Sequence, residues 1–262
     1  MSAPKILVFD SGVGGLSILA ELRHTLPKCQ LVFACDNAAF PYGTKPEINL
    51  IERVEMALSA LIHRLDPDII VVACNSASTL VLPRIRANFQ RPIVGVVPAI
   101  KPAAMLSTSK CIGLLATPGT VQRPYTQKLI DDFASHCQVV AVGSAELVEL
   151  AEQKLRGETP DNNALKTILA PFLAEPRLDT IVLACTHFPL LREELSKAAE
   201  RHIKWVDSGA AIARRVLSLL GQLPDELPPQ PHSLALFTAP QPAALVAGLK
   251  QYGCVETDVV EI

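Results

Sequence analysis

Residues 68–75 read DIIVVACN, and residues 179–186 repeat the phrase as DTIVLACT. Each copy is a short apolar run rich in Val and Ile, which is typical of a strand buried on both faces of a parallel sheet. Each run ends in a cysteine followed by a small polar residue. Open α/β sheets bind ligands just beyond the carboxyl ends of their strands. The repeat therefore predicts two thiols, Cys74 and Cys185, at equivalent ligand-binding positions.

Strands alternate with helical stretches along nearly the whole chain. Besides the two copies of the repeat, apolar runs predict strands at residues 5–9, 30–34, 92–97, 111–116, 138–142 and 233–237. This alternation indicates an α/β protein with one or two doubly wound, mostly parallel sheets. The Pro-rich stretch 223–231 predicts a surface loop, followed by one last strand near 233–237 and a C-terminal helix.

A second echo links residues 10–12 to residues 207–209, which both read DSG at an expected strand end. Beside the cysteine repeat, this echo supports two similar halves related by a pseudo-twofold axis. Pro98 and Pro102 flank the expected crossover from one half to the other.

Composition excludes several classes of protein. Of the 262 residues, 49% are hydrophobic and 19% charged, which favours a well-packed globular protein over a disordered one. The net charge of -2 provides no basic field for phosphate backbones, so nucleic acid is not an expected partner. No apolar run is long enough to span a bilayer, and the N-terminus lacks the features of a signal peptide. We therefore expect a cytoplasmic protein that does not contact membranes.

The cysteine pattern favours free thiols over disulfides or metal ligands. Seven cysteines are present, an odd number with no C-x-x-C pair, and the six histidines are scattered. No metal site is therefore expected. Buried, inert thiols are the expectation for the five other cysteines, Cys29, Cys35, Cys111, Cys137 and Cys254.

Three motifs carry candidate chemistry. The glycine-rich turn at residues 10–15, DSGVGG, opens a helix whose free N–H groups suit a small anion, although its glycines do not fit a dinucleotide loop. Cys74 precedes another helix, and a helix N-terminus lowers a thiol pKa. Thr186 and His187 follow Cys185 directly, and an adjacent imidazole can raise the thiolate fraction or supply a proton. Two matched thiols suit a reaction in which a proton leaves one face of a carbon and returns on the other.

These motifs together resemble the glutamate racemase family, from about residue 6 to residue 208. The match is carried by five segments in the family's order and spacing: 10–16 (DSGVGGL), 40–43 (FPYG), 73–78 (ACNSAS), 116–121 (ATPGTV) and 184–189 (ACTHFP). Ser76 stands where the family usually has threonine, which keeps the hydroxyl. The family's glutamate is matched to Glu149, although the preceding residues depart from the usual Val-Pro-Leu.

The resemblance implies a cofactor-independent racemase that supplies D-glutamate for peptidoglycan. It implies two α/β domains, residues 1–98 plus 207–262 and residues 99–206, with the active site in the cleft between them. Cys74 and Cys185 would be the catalytic acid/bases, assisted by Asp10 and His187. The same resemblance assigns substrate binding to Asp10, Ser11, Tyr42, Gly43, Asn75, Ser76, Thr186 and His187. It assigns supporting places to Asp36, Thr117, Thr120 and Glu149. A homodimer is a further implication.

Three other functions remain open from the residues alone. A racemase of the same superfamily could act on aspartate or another acidic amino acid, because the sequence does not reveal discrimination by side-chain length. A two-domain binding protein for a small anion would leave the paired thiols unexplained. A cysteine hydrolase would use Cys185 with His187 and would give Cys74 no role.

Overall fold

The computed structural model describes residues 2–262, with ten strands and eleven α-helices. The strands are β1 (Lys5–Asp10), β2 (Gln30–Cys35), β3 (Ile69–Val72), β4 (Ile93–Gly95), β5 (Cys111–Ala116), β6 (Gln138–Gly143), β7 (Thr180–Leu183), β8 (Lys204–Val206), β9 (Ser233–Phe237) and β10 (Cys254–Val259). The helices are α1 (Leu16–Thr25), α2 (Glu47–Leu65), α3 (Asn75–Asn88), α4 (Ile100–Leu106), α5 (Pro118–Gln122), α6 (Pro124–Ala134), α7 (Glu146–Leu155), α8 (Asn162–Leu173), α9 (Arg192–Ala199), α10 (Gly209–Leu220) and α11 (Ala243–Leu249).

The strands form two sheets with a shared topology. The first sheet has six strands in the order β10-β9-β2-β1-β3-β4, and the second has four in the order β6-β5-β7-β8. Every ladder is parallel. The order β2-β1-β3-β4 of the first sheet is repeated as β6-β5-β7-β8 in the second. The prediction of an α/β fold with two similar, mostly parallel sheets is confirmed.

Helices cover both faces of each sheet, because alternate strand residues point to opposite sides. In β1, Ile6 and Val8 pack toward α1 and α10, whereas Leu7 and Phe9 pack toward α2 and α3. In the second sheet, one face packs against α7, α8 and α9 and the other against α4 and α6. The central strands β1, β3, β5 and β7 are almost wholly apolar because both of their faces are buried. Each fully buried Leu, Ile, Val or Phe contributes about 1.5–3 kcal/mol of transfer free energy.

The shared topology gives Cys74 and Cys185 equivalent places. Cys74 follows β3 and Cys185 follows β7, in each case with one alanine between the strand and the thiol. β3 pairs with β1 in the first sheet, and β7 pairs with β5, the counterpart of β1, in the second sheet. The repeated phrase in the sequence therefore corresponds to a repeated position in the fold.

Two sequence-based expectations are wrong in detail. The strand near 233–237 is not the last, since β10 follows α11 and pairs with β9 at the sheet edge. The echo between residues 10–12 and 207–209 does not join equivalent positions. Asp10 ends β1, whose counterpart is β5, whereas Asp207 follows β8. The 223–231 stretch is a loop, as expected, and lies between α10 and β9.

Candidate active site

The carboxyl ends of both sheets meet around one small cavity of about 40 Å³. Strand β3 places Cys74 on one side of it, and β7 places Cys185 on the other; the two residues are only 5% and 7% exposed. The structure brings most of the predicted site residues to its wall: Asp10, Ser11, Tyr42, Gly43, Cys74, Asn75, Ser76, Thr117, Glu149, Cys185, Thr186 and His187. Two predicted residues, Asp36 and Thr120, lie behind the wall rather than on it.

Cys74 is the N-terminal cap residue of α3 and lies near the Ser11 hydroxyl and the Asp10 carboxyl group. Its Sγ is 3.7 Å from Ser11 Oγ, and that hydroxyl is 3.3 Å from Asp10 Oδ1. Asp10 is fully buried and also accepts the Ser11 backbone N–H at 2.6 Å. Burial raises the pKa of Cys74 well above its ordinary value, and the nearby Asp10 raises it further. Cys74 is therefore a protonated thiol when Asp10 is charged.

Cys185 has a different neighbour, a buried imidazole backed by a carboxylate. His187 Nδ1 lies 3.8 Å from Cys185 Sγ, and His187 Nε2 lies 2.9 Å from Glu152 Oε1. Burial alone would lower the pKa of His187, but its hydrogen bonds to Cys185 and Glu152 raise it well above the ordinary value. The bond to His187 overcomes burial and lowers the pKa of Glu152. The arrangement keeps a protonated imidazole next to Cys185.

The glycine-rich turn after β1 allows His187 and Glu152 to lie close to the first sheet. The Val13 backbone N–H donates to Glu152 Oε1 at 2.9 Å. A Cβ on Gly12 would lie 2.6 Å from the same oxygen, and a Cβ on Gly14 would collide with the His187 ring. The glycines are therefore needed for close approach to the histidine and glutamate, not for a dinucleotide.

Hydroxyl groups join the two sheets on both sides of the cavity. On one side, Thr186 Oγ1 donates to Asp10 Oδ2 at 2.8 Å. On the other, Ser76 Oγ lies 3.1 Å from Thr117 Oγ1 and 3.4 Å from Thr120 Oγ1. We call these last three residues the hydroxyl cluster. Its donors, with the free N–H groups at the start of α3, suit a carboxylate.

Asn75 is a further candidate for contact with a ligand. It is 3% exposed, yet its Nδ2 has no hydrogen-bond partner among residues 2–262. A buried amide without a partner costs free energy, so a ligand atom or a water molecule in the cavity is needed to satisfy it.

Asp36 supports the site from outside. It accepts hydrogen bonds from Tyr42 Oη at 2.5 Å, from Arg53 Nη2 at 2.6 Å and from Thr238 Oγ1 at 2.8 Å. The Tyr42 hydroxyl is thus already engaged, and the Tyr42–Gly43 turn can offer a ligand only its ring edge and backbone. Burial would raise the pKa of Asp36, but these hydrogen bonds lower it.

The sequence-based assignment of Glu149 needs correction. Its side chain is exposed at the mouth of the cavity, and the carboxylate that contacts His187 belongs to Glu152, one helical turn further along α7. Glu152 was missed, although a signal for it exists. It shares the apolar stripe of α7 with Val148 and Leu155, where an unpaired acid would be costly.

The assembled groups fit proton transfer at a carbon. Each thiol can hold or release a proton, and they face one cavity from two different sheets. Between residues 2 and 262, no group of three or more His, Cys, Asp or Glu side chains is arranged to hold a metal ion. Over the same range, every helix is too short or too polar to cross a membrane.

Comparison with known proteins gives a consistent result. The Asp/Glu/Hydantoin racemase family model matches residues 16–216. A glutamate racemase of Escherichia coli strain K12 is 51% identical over 254 residues, which cover 95% of this chain and 89% of that protein. The crystal structure of E. coli glutamate racemase in complex with L-glutamate and the activator UDP-MurNAc-Ala has 49% identity and a TM-score of 0.93, with 99% and 98% coverage of the two chains.

A more distant solved structure agrees. Glutamate racemase from Aquifex pyrophilus is 30% identical with a TM-score of 0.76, and the match covers 98% of each chain. These relatives extend along nearly the whole chain and include both sheets. The chain therefore belongs to the Asp/Glu/Hydantoin racemase family and, within it, to the glutamate racemases.

Proposed function

We propose that this chain interconverts L- and D-glutamate by moving protons between Cα and two thiols, Cys74 and Cys185. The observation that carries the proposal is the pair of buried strand-end cysteines, one from each sheet, that line one cavity. One thiolate removes the α-proton while the opposing thiol donates a proton to the other face, and the roles exchange in the reverse direction. A nucleophilic hydrolase would need only the Cys185 side, and a binding protein would need neither thiol.

The two sides of the cavity divide the remaining work. On the Cys185 side, protonated His187 stabilises a thiolate and is itself held by Glu152. On the Cys74 side, Asp10 and Ser11 lie near the thiol, and their oxygens can accept hydrogen bonds from the substrate ammonium group. Negative charge develops on the α-carboxylate when the proton leaves, so fixed N–H and O–H donors lower the barrier. Asn75, Thr186 and the hydroxyl cluster provide such donors.

The remaining proposals follow from the family. D-Glutamate made here would supply peptidoglycan synthesis, and the E. coli relative was crystallised with UDP-MurNAc-Ala, which is described as its activator. We further propose a cytoplasmic homodimer whose domains are residues 1–98 plus 207–262 and residues 99–206. Sedimentation analysis tests the dimer, and hydrogen exchange tests whether the two domains open as separate units.

The decisive experiment follows L-glutamate by circular dichroism in D₂O, with protein freed of metal and pyridoxal phosphate. We expect the optical signal to decay to zero as deuterium appears at Cα. L-Aspartate is the matched substrate control, because it is one methylene shorter, and we expect little or no decay with it. Decay with aspartate alone would shift the assignment to an aspartate racemase. No decay with either would contradict a racemase.

The two-thiol assignment is tested by Cys74→Ala and Cys185→Ala. Each variant removes one of the two proton carriers, so racemisation should fall by at least about 10²-fold, the lower end for general acid–base catalysis. Cys137→Ala is the matched control, since Cys137 is partly exposed and does not line the cavity. Near-normal turnover in either cavity variant would rule out the two-thiol mechanism.

A further inference from the structure

Arg123 is a buried cation that crosses from one sheet to the other. It lies between α5 and α6, beside the second sheet, and is 7% exposed. Its Nη1 donates to the backbone carbonyl of Ser76 and to Thr79 Oγ1, the latter at 2.7 Å. Both acceptors belong to α3, which covers the first sheet. The nearest carboxylate in an ion pair with it, that of Glu47, is 3.7 Å from Nε and is itself 62% exposed. Such a weak, exposed ion pair does not account for burying a guanidinium.

The contacts of Arg123 fix the first turn of α3 just after Cys74. Thr79 Oγ1, which accepts from Arg123, donates in turn to the carbonyl of Asn75 at 2.9 Å. Arg123 therefore holds the carbonyls of both residues that follow Cys74, directly at Ser76 and through Thr79 at Asn75. The side chains of Asn75 and Ser76 line the cavity.

The chain segment that carries Arg123 also contacts the side chain of Ser76. Thr117 and Thr120 precede Arg123 by one to two turns, and both contact the Ser76 hydroxyl. Ser76 is thus held by its side chain and by its backbone from one segment of the second sheet. The hydroxyl cluster can keep its geometry only while that segment and α3 stay in register.

The charge of Arg123 also fits the ligand. The side chains that line the cavity include acidic Asp10 and Glu149 and, beside Cys185, the imidazole of His187, but no lysine or arginine within residues 2–262. Glutamate carries two carboxylates, so a second source of positive potential besides His187 would favour its binding. Arg123 donates to the Ser76 carbonyl and is not among the residues that line the cavity, so its charge can polarise the donors of the hydroxyl cluster without contact with a ligand.

We infer that Arg123 is a positioning residue that builds the carboxylate-binding end of the cavity. It acts through Ser76 and Thr79, holding the hydroxyl cluster and the first turn of α3 in the geometry that receives a substrate carboxylate. This inference rests on the proposed function. It assigns Arg123 a part in substrate affinity, whereas the thiols carry the proton transfer.

The test compares Arg123→Gln and Arg123→Lys with the wild type, with racemisation followed from both enantiomers. Arg123→Gln should raise KM for glutamate at least tenfold, while kcat changes less, because a binding interaction kept through the transition state appears in KM. Arg123→Lys keeps the charge and should recover part of the loss. Arg84→Ala is the matched control, since Arg84 lies on α3, the helix that Arg123 contacts, but pairs with Glu55 at the surface, and it should stay within about twofold. L- and D-glutamate have equal free energies, so kcat/KM must be equal in both directions for every variant, which checks the data.

A double-mutant cycle with Ser76→Ala separates positioning from general loosening. If Arg123 acts through Ser76, the combined loss in kcat/KM should be clearly smaller than the product of the single losses. The inference would be overturned if the loss in kcat/KM of the double variant equalled the product of the two single losses. A KM of Arg123→Gln within twofold of the wild-type value would also overturn it. Should Arg123→Gln fail to fold, Arg123→Lys and Thr79→Val supply the same comparison. If the wild type itself does not racemise glutamate, the proposed function fails, and the role of Arg123 is then decided by calorimetric binding of glutamate to the same variants.

Discussion

The two thiols have chemically opposite neighbours, a carboxyl group near Cys74 and an imidazole beside Cys185. Cys74 lies beside the Asp10 carboxylate, which disfavours a second negative charge. Cys185 lies beside His187, which its neighbours hold protonated. Burial and the nearby Asp10 therefore keep Cys74 in its neutral form, whereas Cys185 lies beside an imidazole. In the proposed mechanism one thiol donates a proton and the other removes one, and the asymmetric neighbours suit this division.

The carboxylate behind His187 should control the alkaline limb of the pH profile. Glu152→Gln removes a negative charge from His187, which lowers the pKa of the imidazole. Activity that needs protonated His187 should then disappear at lower pH than in the wild type, with kcat reduced by roughly 10²-fold. The measurement is kcat against pH. Glu149→Gln serves as the control, because Glu149 does not contact His187 and should leave the limb in place; equal shifts in both variants would contradict the role of Glu152.

Asp10 should cost stability at neutral pH. Burial raises its pKa from the ordinary value of 3.8, so the folded protein binds this proton more tightly than the unfolded chain does. A charged Asp10 therefore destabilises the fold, and the penalty grows as pH rises through 3.8 until Asp10 is ionised in both states. The difference in Tm between Asp10→Asn and wild type should accordingly become more positive from pH 4 to pH 7, while racemisation is lost. Thermal unfolding at each pH measures it, and a difference independent of pH would disprove the assignment.

At the scale of elements, the turn between β2 and α2 depends on one carboxylate. Asp36 ties Tyr42 of the turn to Arg53 of α2 and to Thr238 beyond β9. Asp36→Asn breaks a pair in which the carboxylate is fully buried, at a cost of about 3 kcal/mol. Because the turn lines the cavity, KM for glutamate should also rise.

The control for this change is Asp132→Asn, which breaks an exposed pair with Lys128 on α6. Such i,i+4 surface pairs contribute only about 0.3–0.5 kcal/mol. Urea unfolding of both variants compares the two losses directly. If Asp36→Asn were no less stable than Asp132→Asn, the turn would be held by packing alone.

Elements with a strong apolar pattern could be predicted from the sequence, and those without one could not. The runs in β3 and β7 are buried on both faces, so periodicity and composition identify them. β10 carries Glu256 and Asp258 and is exposed along most of its length. It forms because the edge of β9 is open to pairing, a cause that local sequence does not contain.

The site divides in the same way. Cys74 and Cys185 could be predicted because topology places strand ends together and the two phrases match. Glu152 and Arg123 depend on how α7 and the α5–α6 junction pack across the sheets, and neither repeats elsewhere in the chain. The DSG match between residues 10–12 and 207–209 gave a wrong prediction, because a match of only three residues can occur at positions that are not equivalent in the fold.

At the scale of the whole molecule, contacts around the cavity join the two sheets. Every group assigned to the chemistry is buried, and the cavity is bridged on one side by Thr186 with Asp10 and on the other by the hydroxyl cluster. Ser17 Oγ adds another bridge, donating to the Thr186 carbonyl at 2.9 Å. The Val13–Glu152 hydrogen bond and the contacts of Arg123 with α3 also join the two halves, and Leu155 of α7 packs into the core of the first sheet. The polar contacts at the cavity can exchange with a ligand, whereas the sheet cores are apolar and continuous.

A ligand that touches both sheets should therefore couple their unfolding. Racemic glutamate at a hundred times its Kd should stabilise the folded protein by about 2.7 kcal/mol, which corresponds to a rise in Tm of roughly 5–10 °C for units of this size. Calorimetry should show the whole transition moving as one peak. L-Glutamine is the ligand control, since it lacks the second negative charge, and Ser76→Ala is the protein control, since it weakens the carboxylate end; both should shrink the shift. Two peaks of which only one moves would mean that glutamate contacts a single sheet, and the cavity between the sheets would then not be its binding site.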